Sequence, residues 1–320
     1  MSSRITSRAT PAPHALAQAP IHASLQASVL AAGLLGAALL LAFAGCSGPE
    51  APPDPNHTAA AAGSGGESDE AYTASPLAPG ADGGSLDGDG TTPEAPGQVL
   101  IFSRTAGYRH ASIADGLAAL SELAAELGLE ARHSEDPRAL DDLADRANVR
   151  VVVFLSTTGD VLDLSQEAAF KRRVQAGGGY VGVHSASDTE YDWPWYGQLA
   201  GARFASHPAI QPAHVLRVGA HPSVDFLPEP WERTDEWYDF RDVSPGITPL
   251  LALDEATYTG HAAMESQPGG QHPIAWYHEF DGGRAWYTGG GHTKASFAEP
   301  LFRRHLLEGL RYAAGLPAAD

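Results

Sequence analysis

Residues 178–186, GGYVGVHSA, join a short apolar strand to a tight turn. The run from Tyr180 to Val183 is typical of a strand that is buried in a parallel sheet. Gly182 and Ala186 are small residues two positions before and two positions after His184, which is the spacing that a nucleophile elbow requires. Such an elbow projects one side chain from the carboxyl end of a strand, and here that side chain is an imidazole. A histidine at the end of a strand can also be a hydrogen-bonded core residue, and this second interpretation stays open.

Short apolar runs alternate with amphipathic patterns before this stretch. Residues 99–102 and 151–155 are fully apolar, and each run is typical of a buried strand. Between them, apolar residues recur at helical spacing over residues 113–127, and Gly128 is placed to end that helix. A second helix is predicted over residues 165–176. Strands that alternate with helices in this way indicate βαβ units and a doubly wound sheet.

The later part of the chain predicts further strands, a hairpin and a terminal helix. The strands are predicted over residues 214–218, 250–253, 274–279 and 284–288. The last two strands flank Asp281-Gly282-Gly283, which is a strong signal for a β-hairpin. The final helix begins near Pro300 and ends at Gly315. We therefore predict an α/β protein with a doubly wound sheet, followed by a C-terminal β-hairpin and a helix.

The first residues are typical of an export signal. Arg4 and Arg8 precede an uncharged run that is shorter than the roughly 20 residues of a membrane-spanning helix. The run ends in Phe43-Ala44-Gly45-Cys46, which resembles a bacterial lipobox, and Cys46 is the only cysteine in the chain. We expect residues 1–46 to form a lipoprotein signal with Cys46 as the lipidated residue. The protein is then exported and anchored in a membrane by its lipid.

A segment rich in Pro, Gly, Ala and Ser follows over residues 47–97. It carries acidic residues and no Lys or Arg, so it has little apolar surface to bury and repels itself. We expect a disordered spacer here, with a binding tail as the alternative. The folded domain is then predicted to cover residues 98–317.

The charge of the chain limits what it binds. The protein has 20 basic and 39 acidic residues, for a net charge of −19. Cleavage of the signal removes Arg4 and Arg8, and the remaining 18 basic residues against 39 acidic ones give −21. This balance argues against nucleic acid and against docking on an anionic lipid surface, because both require clustered Lys and Arg. A neutral, sugar-like ligand or a cation fits the charge better.

Three of the loops that follow predicted strands contain a histidine beside small or flexible residues. In an open α/β sheet, ligands bind where such loops meet at the carboxyl ends of the strands. The candidate catalytic histidines are His110, His184 and His292. A neutral imidazole is favoured at position 110, which lies just before the first helix. Arg104 and Arg109 are placed to steer an oxyanion, or are solvated surface charges.

The best carboxylates for acid–base work are Asp235 and Glu236, which precede Trp237 and Tyr238. Alternation along a strand would put Asp235 and Trp237 on one face and the other two residues on the opposite face. A carboxylate beside a histidine would orient it or exchange protons with a substrate. Surface salt bridges are the alternative role for both acids.

Histidine–proline pairs mark two weaker candidates. A residue before proline is held in an extended conformation, so His207 and His272 can simply mark strand ends. Both remain candidates for the rim of a pocket.

A metal site would have to be assembled from distant loops. Neutral imidazoles with a carboxylate suit Zn²⁺ or a similar ion. The sequence contains no H-E-x-x-H spacing, and Cys46 offers no ligand inside the domain. We therefore predict that no cofactor is required, and leave a divalent metal open.

Five ordered motifs give the domain a recognisable resemblance. They are Gly107-Tyr108-Arg109-His110, residues 178–185, Asp235-Glu236-Trp237-Tyr238, His272-Pro273-Ile274-Ala275-Trp276 and Gly290-Gly291-His292-Thr293. Together they make residues 99–316 similar to the ThuA-like (trehalose utilisation) family. The resemblance implies a flavodoxin-like fold of the class I glutamine-amidotransferase-like superfamily. True amidotransferases have cysteine at the elbow, where this chain has His184, so glutamine hydrolysis through a thioester is excluded.

The resemblance also implies a role in the catabolism of trehalose and related disaccharides. In that setting a partner sugar dehydrogenase makes 3-keto sugars, and we expect this protein to act on a sugar or keto-sugar by histidine and carboxylate chemistry. The expected substrate-binding residues are Tyr108, Arg109, Ser185, Trp237, Tyr238 and His272. Two alternatives remain, namely a non-catalytic carbohydrate-binding lipoprotein and a metal-dependent glycoside hydrolase.

Overall fold

The computed structural model describes residues 96–262 and 271–318. The expected signal, the lipidated Cys46 and nearly all of the acidic spacer lie outside these residues. None of the helices in the described ranges is long and apolar enough to cross a lipid bilayer.

The described ranges contain eleven strands and five α-helices. The strands are β1 Gln98–Phe102, β2 Glu130–Ser134, β3 Val149–Leu155, β4 Gly179–Val183, β5 Arg203–Ser206, β6 Gln211–Arg217, β7 Trp231–Asp235, β8 Asp239–Arg241, β9 Thr248–Leu253, β10 His272–Phe280 and β11 Gly283–Thr288. The helices are α1 Ile113–Glu126, α2 Leu164–Gln175, α3 Pro194–Ala200, α4 Lys294–Ala298 and α5 Pro300–Ala313.

Nine strands form one sheet in the order β2-β1-β3-β4-β11-β10-β9-β6-β7. The first five are parallel and follow the flavodoxin-like order, with β11 as the fifth strand. The remaining pairs are antiparallel. Strands β5 and β8 form a separate antiparallel pair. The predicted α/β class and doubly wound sheet are confirmed.

The predicted hairpin is present, and it is built into the main sheet. Asp281 and Gly282 join β10 to β11 with φ angles of 48° and 96°, as a two-residue hairpin turn requires. Strand β11 then pairs in parallel with β4, so one arm of the hairpin completes the parallel half of the sheet.

The sequence analysis did not predict β2, β5, β7, β8, α3 or α4, and β2 is the one of these in the parallel part of the main sheet. Its sequence, EARHS, has no apolar run, and most of its residues are half-buried or exposed. β2 is an edge strand that pairs only with β1, so it does not need the continuous apolar pattern of the strands inside the sheet.

Helices cover both faces of the parallel strands. α1, α4 and α5 pack against one another, and right-handed crossovers place α2 on the opposite face. Within α5, His305 is fully buried, with Nδ1 at 2.8 Å from the Ser223 carbonyl oxygen and Nε2 at 3.2 Å from the Thr288 hydroxyl. Burial lowers the pKa of His305 from 6.5 to about 3, so the folded protein holds this imidazole neutral.

The His305→Gln variant should respond less to acid than the native chain. Below pH 6.5 the unfolded chain gains a proton on this imidazole that the folded protein cannot accept, so stability is lost as the pH falls. Between pH 7 and pH 5 the native chain should lose about 2 kcal/mol more free energy of unfolding than the variant. Urea unfolding at both pH values measures this difference. His214→Gln, at a partly exposed position, is the control, and equal losses in H305Q and the native chain would contradict the prediction.

Candidate functional site

The elbow predicted at the end of β4 is present in the backbone. His184 has a φ of 53°, in the left-handed region that only few non-glycine residues adopt. A Cβ atom on Gly182 would lie 2.7 Å from the Tyr180 hydroxyl and 2.7 Å from the Tyr287 ring, so the strand needs glycine there. The Tyr287 hydroxyl donates a hydrogen bond of 2.6 Å to the His184 carbonyl oxygen and helps to hold the turn.

Three side chains surround the His184 imidazole. We call the four residues together the histidine–glutamate cluster: His110, His184, His292 and Glu236. One nitrogen or oxygen atom from each lies within 4.8 Å of all the others. His184 Nε2 lies 3.1 Å from His110 Nε2 and 3.3 Å from His292 Nδ1. Glu236 Oε2 lies 3.4 Å from His184 Nε2 and 2.9 Å from His292 Nδ1.

The cluster lies at the carboxyl ends of the strands. His110 follows β1 and precedes α1, His184 directly follows β4, Glu236 follows β7 and His292 follows β11. The structure therefore brings together all three histidines that the sequence singled out, with Glu236 as their carboxylate. The His184 and Glu236 side chains are 0 % and 9 % exposed, while His292 is 18 % exposed, so solvent reaches the cluster from the His292 side.

Hydrogen bonds orient the two most buried imidazoles. His184 Nδ1 lies 2.9 Å from the Gly289 carbonyl oxygen, which only accepts, so Nδ1 carries the proton and Nε2 faces the cluster. His110 Nδ1 lies 3.3 Å from the Ser185 hydroxyl, which directs His110 Nε2 at the same point.

The cluster combines a neutral imidazole with an ionised carboxylate. Burial, reinforced by the neighbouring His184 and His292 imidazoles, lowers the pKa of His110 from 6.5 to about 2. Burial by itself would raise the pKa of Glu236, but the contacts of its carboxylate with the His184 and His292 imidazoles outweigh burial and hold that pKa well below its usual value.

The second oxygen of Glu236 contacts His207, which follows β5. His207 Nδ1 lies 3.1 Å from Glu236 Oε1 and 2.9 Å from the Pro208 carbonyl oxygen. Both partners are acceptors, so Nδ1 carries the proton and the Nε2 lone pair stays available. The His207 side chain is 42 % exposed, which makes it the most accessible imidazole around Glu236. In the sequence, the only signal at His207 is the proline that follows it, so His207 was a weak candidate for the rim of a pocket.

Comparison with known proteins decides the family. A family profile described as "ThuA: Trehalose utilisation" matches residues 98–313. The chain belongs to the ThuA family. Among curated proteins, none matches the sequence.

Solved structures share the fold of this ThuA domain. A putative ThuA-like protein from Bacteroides uniformis ATCC 8492 is 19 % identical, with a TM-score of 0.56 over 71 % of this chain and 95 % of that chain. A putative ThuA-like protein from Parabacteroides merdae ATCC 43184 is 18 % identical, with a TM-score of 0.56 over 70 % and 92 % of the two chains.

In this ThuA-family chain, the Asp235 carboxylate accepts hydrogen bonds from the segment that carries His292. Its Oδ2 accepts hydrogen bonds from the Gly291 N–H and the Ser296 hydroxyl, both at 2.9 Å. Its Oδ1 accepts from the His292 N–H at 3.1 Å. The Arg233 guanidinium lies 3.2 Å from Oδ2, and both side chains are buried. Asp235 therefore positions the backbone that carries His292. Strand β7 ends at Asp235, so the alternation expected through Tyr238 does not apply.

The expected substrate-binding residues of the ThuA domain fall into two groups. Tyr108, Ser185 and Tyr238 lie against the cluster; the Tyr108 and Tyr238 rings are centred 4.8 Å from His110 and 4.3 Å from His184. Tyr108 is 49 % exposed, whereas Tyr238 is buried.

The other expected binding residues contact different partners. Trp237 is buried and donates its indole N–H to the Gln211 carbonyl oxygen. His272 is buried between the Tyr238 carbonyl oxygen and Glu255. Arg109 makes an exposed ion pair with Glu135. Contacts of these three with a substrate stay predictions.

The Asp235→Asn variant tests whether the buried Asp235 carboxylate stabilises the fold and the segment that carries His292. Loss of this charge leaves the buried Arg233 guanidinium with the partly exposed Glu299, 3.2 Å from its Nε, as the remaining carboxylate partner, so the free energy of unfolding should fall by about 1–3 kcal/mol. The exposed pair of Arg303 and Glu122 is the control, and Glu122→Gln should cost less than about 1 kcal/mol. Urea unfolding of both variants measures the losses. Similar small losses in the two variants would show that Asp235 does not hold the loop.

Proposed function

We propose that this protein is an exported lipoprotein whose ThuA domain converts a sugar or keto-sugar by acid–base chemistry. The observation that carries the proposal is the histidine–glutamate cluster at the carboxyl ends of the strands. Buried titratable groups that shift each other's pKa are typical of catalytic sites. The family description, trehalose utilisation, favours a carbohydrate as the substrate class.

A keto group gives such a cluster a reaction to catalyse. The carbonyl acidifies the neighbouring C–H bond, so a base removes that proton and the electron pair moves onto the carbonyl oxygen. The enolate then expels an oxygen substituent from the next carbon, and this substituent leaves with a proton. Alternatively, the former carbonyl carbon takes up a proton while the neighbouring hydroxyl loses its own and becomes the new carbonyl. The first outcome is an elimination and the second an isomerisation, and neither requires a nucleophile or an oxidant. Groups held in place around the oxygen would stabilise the developing charge.

His207 is the best-placed proton carrier. Its Nδ1–H is held by Pro208 and Glu236, so Nε2 is the basic atom, and the ring is accessible to a substrate. The pairing with Glu236 stabilises the imidazolium that forms when His207 accepts a proton. The cluster itself would face the carbonyl oxygen.

The proposed substrate and partners follow from charge and chemistry. A net charge of −19 favours a neutral sugar over an anionic ligand. A keto-sugar has to be made by oxidation of a sugar hydroxyl, so we propose a sugar dehydrogenase as the partner enzyme that supplies it. The lipid at Cys46 would hold the domain at a membrane, with the acidic segment as its spacer.

The His207→Gln variant should bind the substrate and turn it over slowly. The purified full chain is incubated with trehalose, maltose and their 3-keto forms, and the products are identified. We expect conversion of a keto form, and a loss in kcat of roughly 10²- to 10⁴-fold in the variant, with affinity changed only a few-fold. His214→Gln is a matched control, because His214 also pairs with a glutamate, Glu232. Binding of these sugars without conversion of any would replace the enzyme with a carbohydrate-binding protein.

The Cys46→Ser variant should move from the membrane fraction to the soluble fraction. A serine cannot carry the thioether-linked lipid, and an acidic protein has little attraction for anionic lipid heads. Fractionation of cells that express the native chain, C46S and the neighbouring control Ser47→Ala measures this. The lipobox assignment is wrong if C46S remains in the membrane fraction as the native chain does.

A further inference from the structure

The donor atoms of the histidine–glutamate cluster are arranged as ligands. His110 Nε2, His184 Nε2, His292 Nδ1 and Glu236 Oε2 lie within 4.8 Å of one another. We propose that these four atoms form a binding site for a divalent transition metal of the Zn²⁺ class. This inference deepens the proposed function, because it names the group that would face the keto oxygen.

Four of the six separations between the ligand atoms fit a tetrahedral ion. Zn–N and Zn–O bonds of about 2.0–2.1 Å place neighbouring ligand atoms roughly 3.3 Å apart in a tetrahedron. The atoms around His184 Nε2 lie 3.1, 3.3 and 3.4 Å from it, and the contact of His292 with Glu236 measures 2.9 Å. The remaining separations do not exceed 4.8 Å.

The surroundings of the imidazoles are those of metal ligands. A ligating histidine usually donates its other N–H to a carbonyl, carboxylate or similar acceptor, which fixes the lone pair towards the metal. The Gly289 carbonyl oxygen does this for His184, and the Ser185 hydroxyl is placed to do it for His110. The Asp235 carboxylate holds the backbone N–H of His292.

The polar atoms at the centre also favour a cation between them. In the tautomer that carries its single proton on Nδ1, His184 presents a lone pair to the Glu236 carboxylate at 3.4 Å in a buried environment. Two acceptors facing each other there are destabilising unless a positive charge lies between them. A proton on His184 Nε2 can be directed at only one of its neighbours at a time, whereas a metal ion contacts all four donor atoms at once.

The donor set selects the class of metal. Three imidazoles and one carboxylate suit Zn²⁺ and other first-row divalent ions, whereas Mg²⁺ and Ca²⁺ prefer oxygen ligands. Solvent reaches the site past His292, whose side chain is 18 % exposed, so a substrate oxygen would approach from this side. There the metal would act as a Lewis acid on the carbonyl.

Metal binding is measured on the full chain, purified without a histidine tag and stripped with a chelator. Titration calorimetry with ZnCl₂, and separately with MgCl₂, gives stoichiometry and affinity. Absorption spectra of the CoCl₂-loaded protein report the coordination number. We expect one Zn²⁺ per chain, weak or absent Mg²⁺ binding, and a Co²⁺ spectrum of four or five coordination.

Two variants and one control assign the ligands. His292→Ala, at the least buried ligand, should weaken Zn²⁺ binding at least about 100-fold, because loss of even an indirect partner costs 10- to 100-fold. Ser185→Ala, which removes the hydroxyl behind His110, should cost about 10-fold. His214→Ala should bind as the native chain does, since His214 and Glu232 are a histidine–glutamate pair outside the cluster. Circular dichroism checks that each variant is folded.

The possible outcomes distinguish failure of the proposed metal site from failure of the proposed enzymatic function. Absence of stoichiometric Zn²⁺ binding, or equal losses in H292A and H214A, would overturn the site and leave a shared proton in the cluster. Conversion of a keto-sugar at an undiminished rate by the stripped protein would refute a role of the metal in the reaction while preserving the proposed function. Stoichiometric binding that H292A abolishes, without conversion of any sugar, would support the metal site and refute the proposed enzyme.

Discussion

The Asp235 carboxylate ties two distant strands of the sheet together. It ends β7 and accepts hydrogen bonds from the backbone of Gly291 and His292, which follow β11. Four strand positions separate β7 from β11, which would be about 19 Å in a flat sheet. The antiparallel half of the sheet therefore curls back over the parallel half. The neutralising contact with Arg233 makes this possible for a charge that is fully buried.

The hydrogen bonds of Asp235 determine where Glu236 and His292 lie. Because Asp235 is fixed, the next residue, Glu236, enters the space above β4 and meets His184 at the elbow. The same carboxylate holds the loop of His292, so both arrive at one point from opposite parts of the sheet. The strained φ of His184 adds a third fixed group. Such a site costs stability, since it buries a carboxylate among imidazoles, and that cost is typical of functional sites.

The elbow carries a histidine, and the cluster shows which groups that histidine contacts. His184 lies at the position from which a nucleophile would project, but its Nδ1–H is bound to the Gly289 carbonyl oxygen. Its remaining nitrogen faces three other polar groups and not an open pocket. The elbow thus supplies one member of a polar centre, while Glu236 links that centre to the accessible His207. A centre of this kind suits polarisation of a carbonyl and proton transfer better than covalent catalysis.

The sequence by itself determined the features that depend on neighbouring residues. Buried parallel strands require continuous apolar runs, the elbow requires Gly182, and the hairpin requires its Asp-Gly turn, so all three were predictable. The three histidines were predictable because loops after parallel strands meet at one edge. Tertiary structure decided the rest. Edge strand β2 has no apolar signature, and the different roles of Asp235 and Glu236, like the place of His207, depend on the curl of the sheet. That curl is set by contacts between residues far apart in the chain, which no local pattern records.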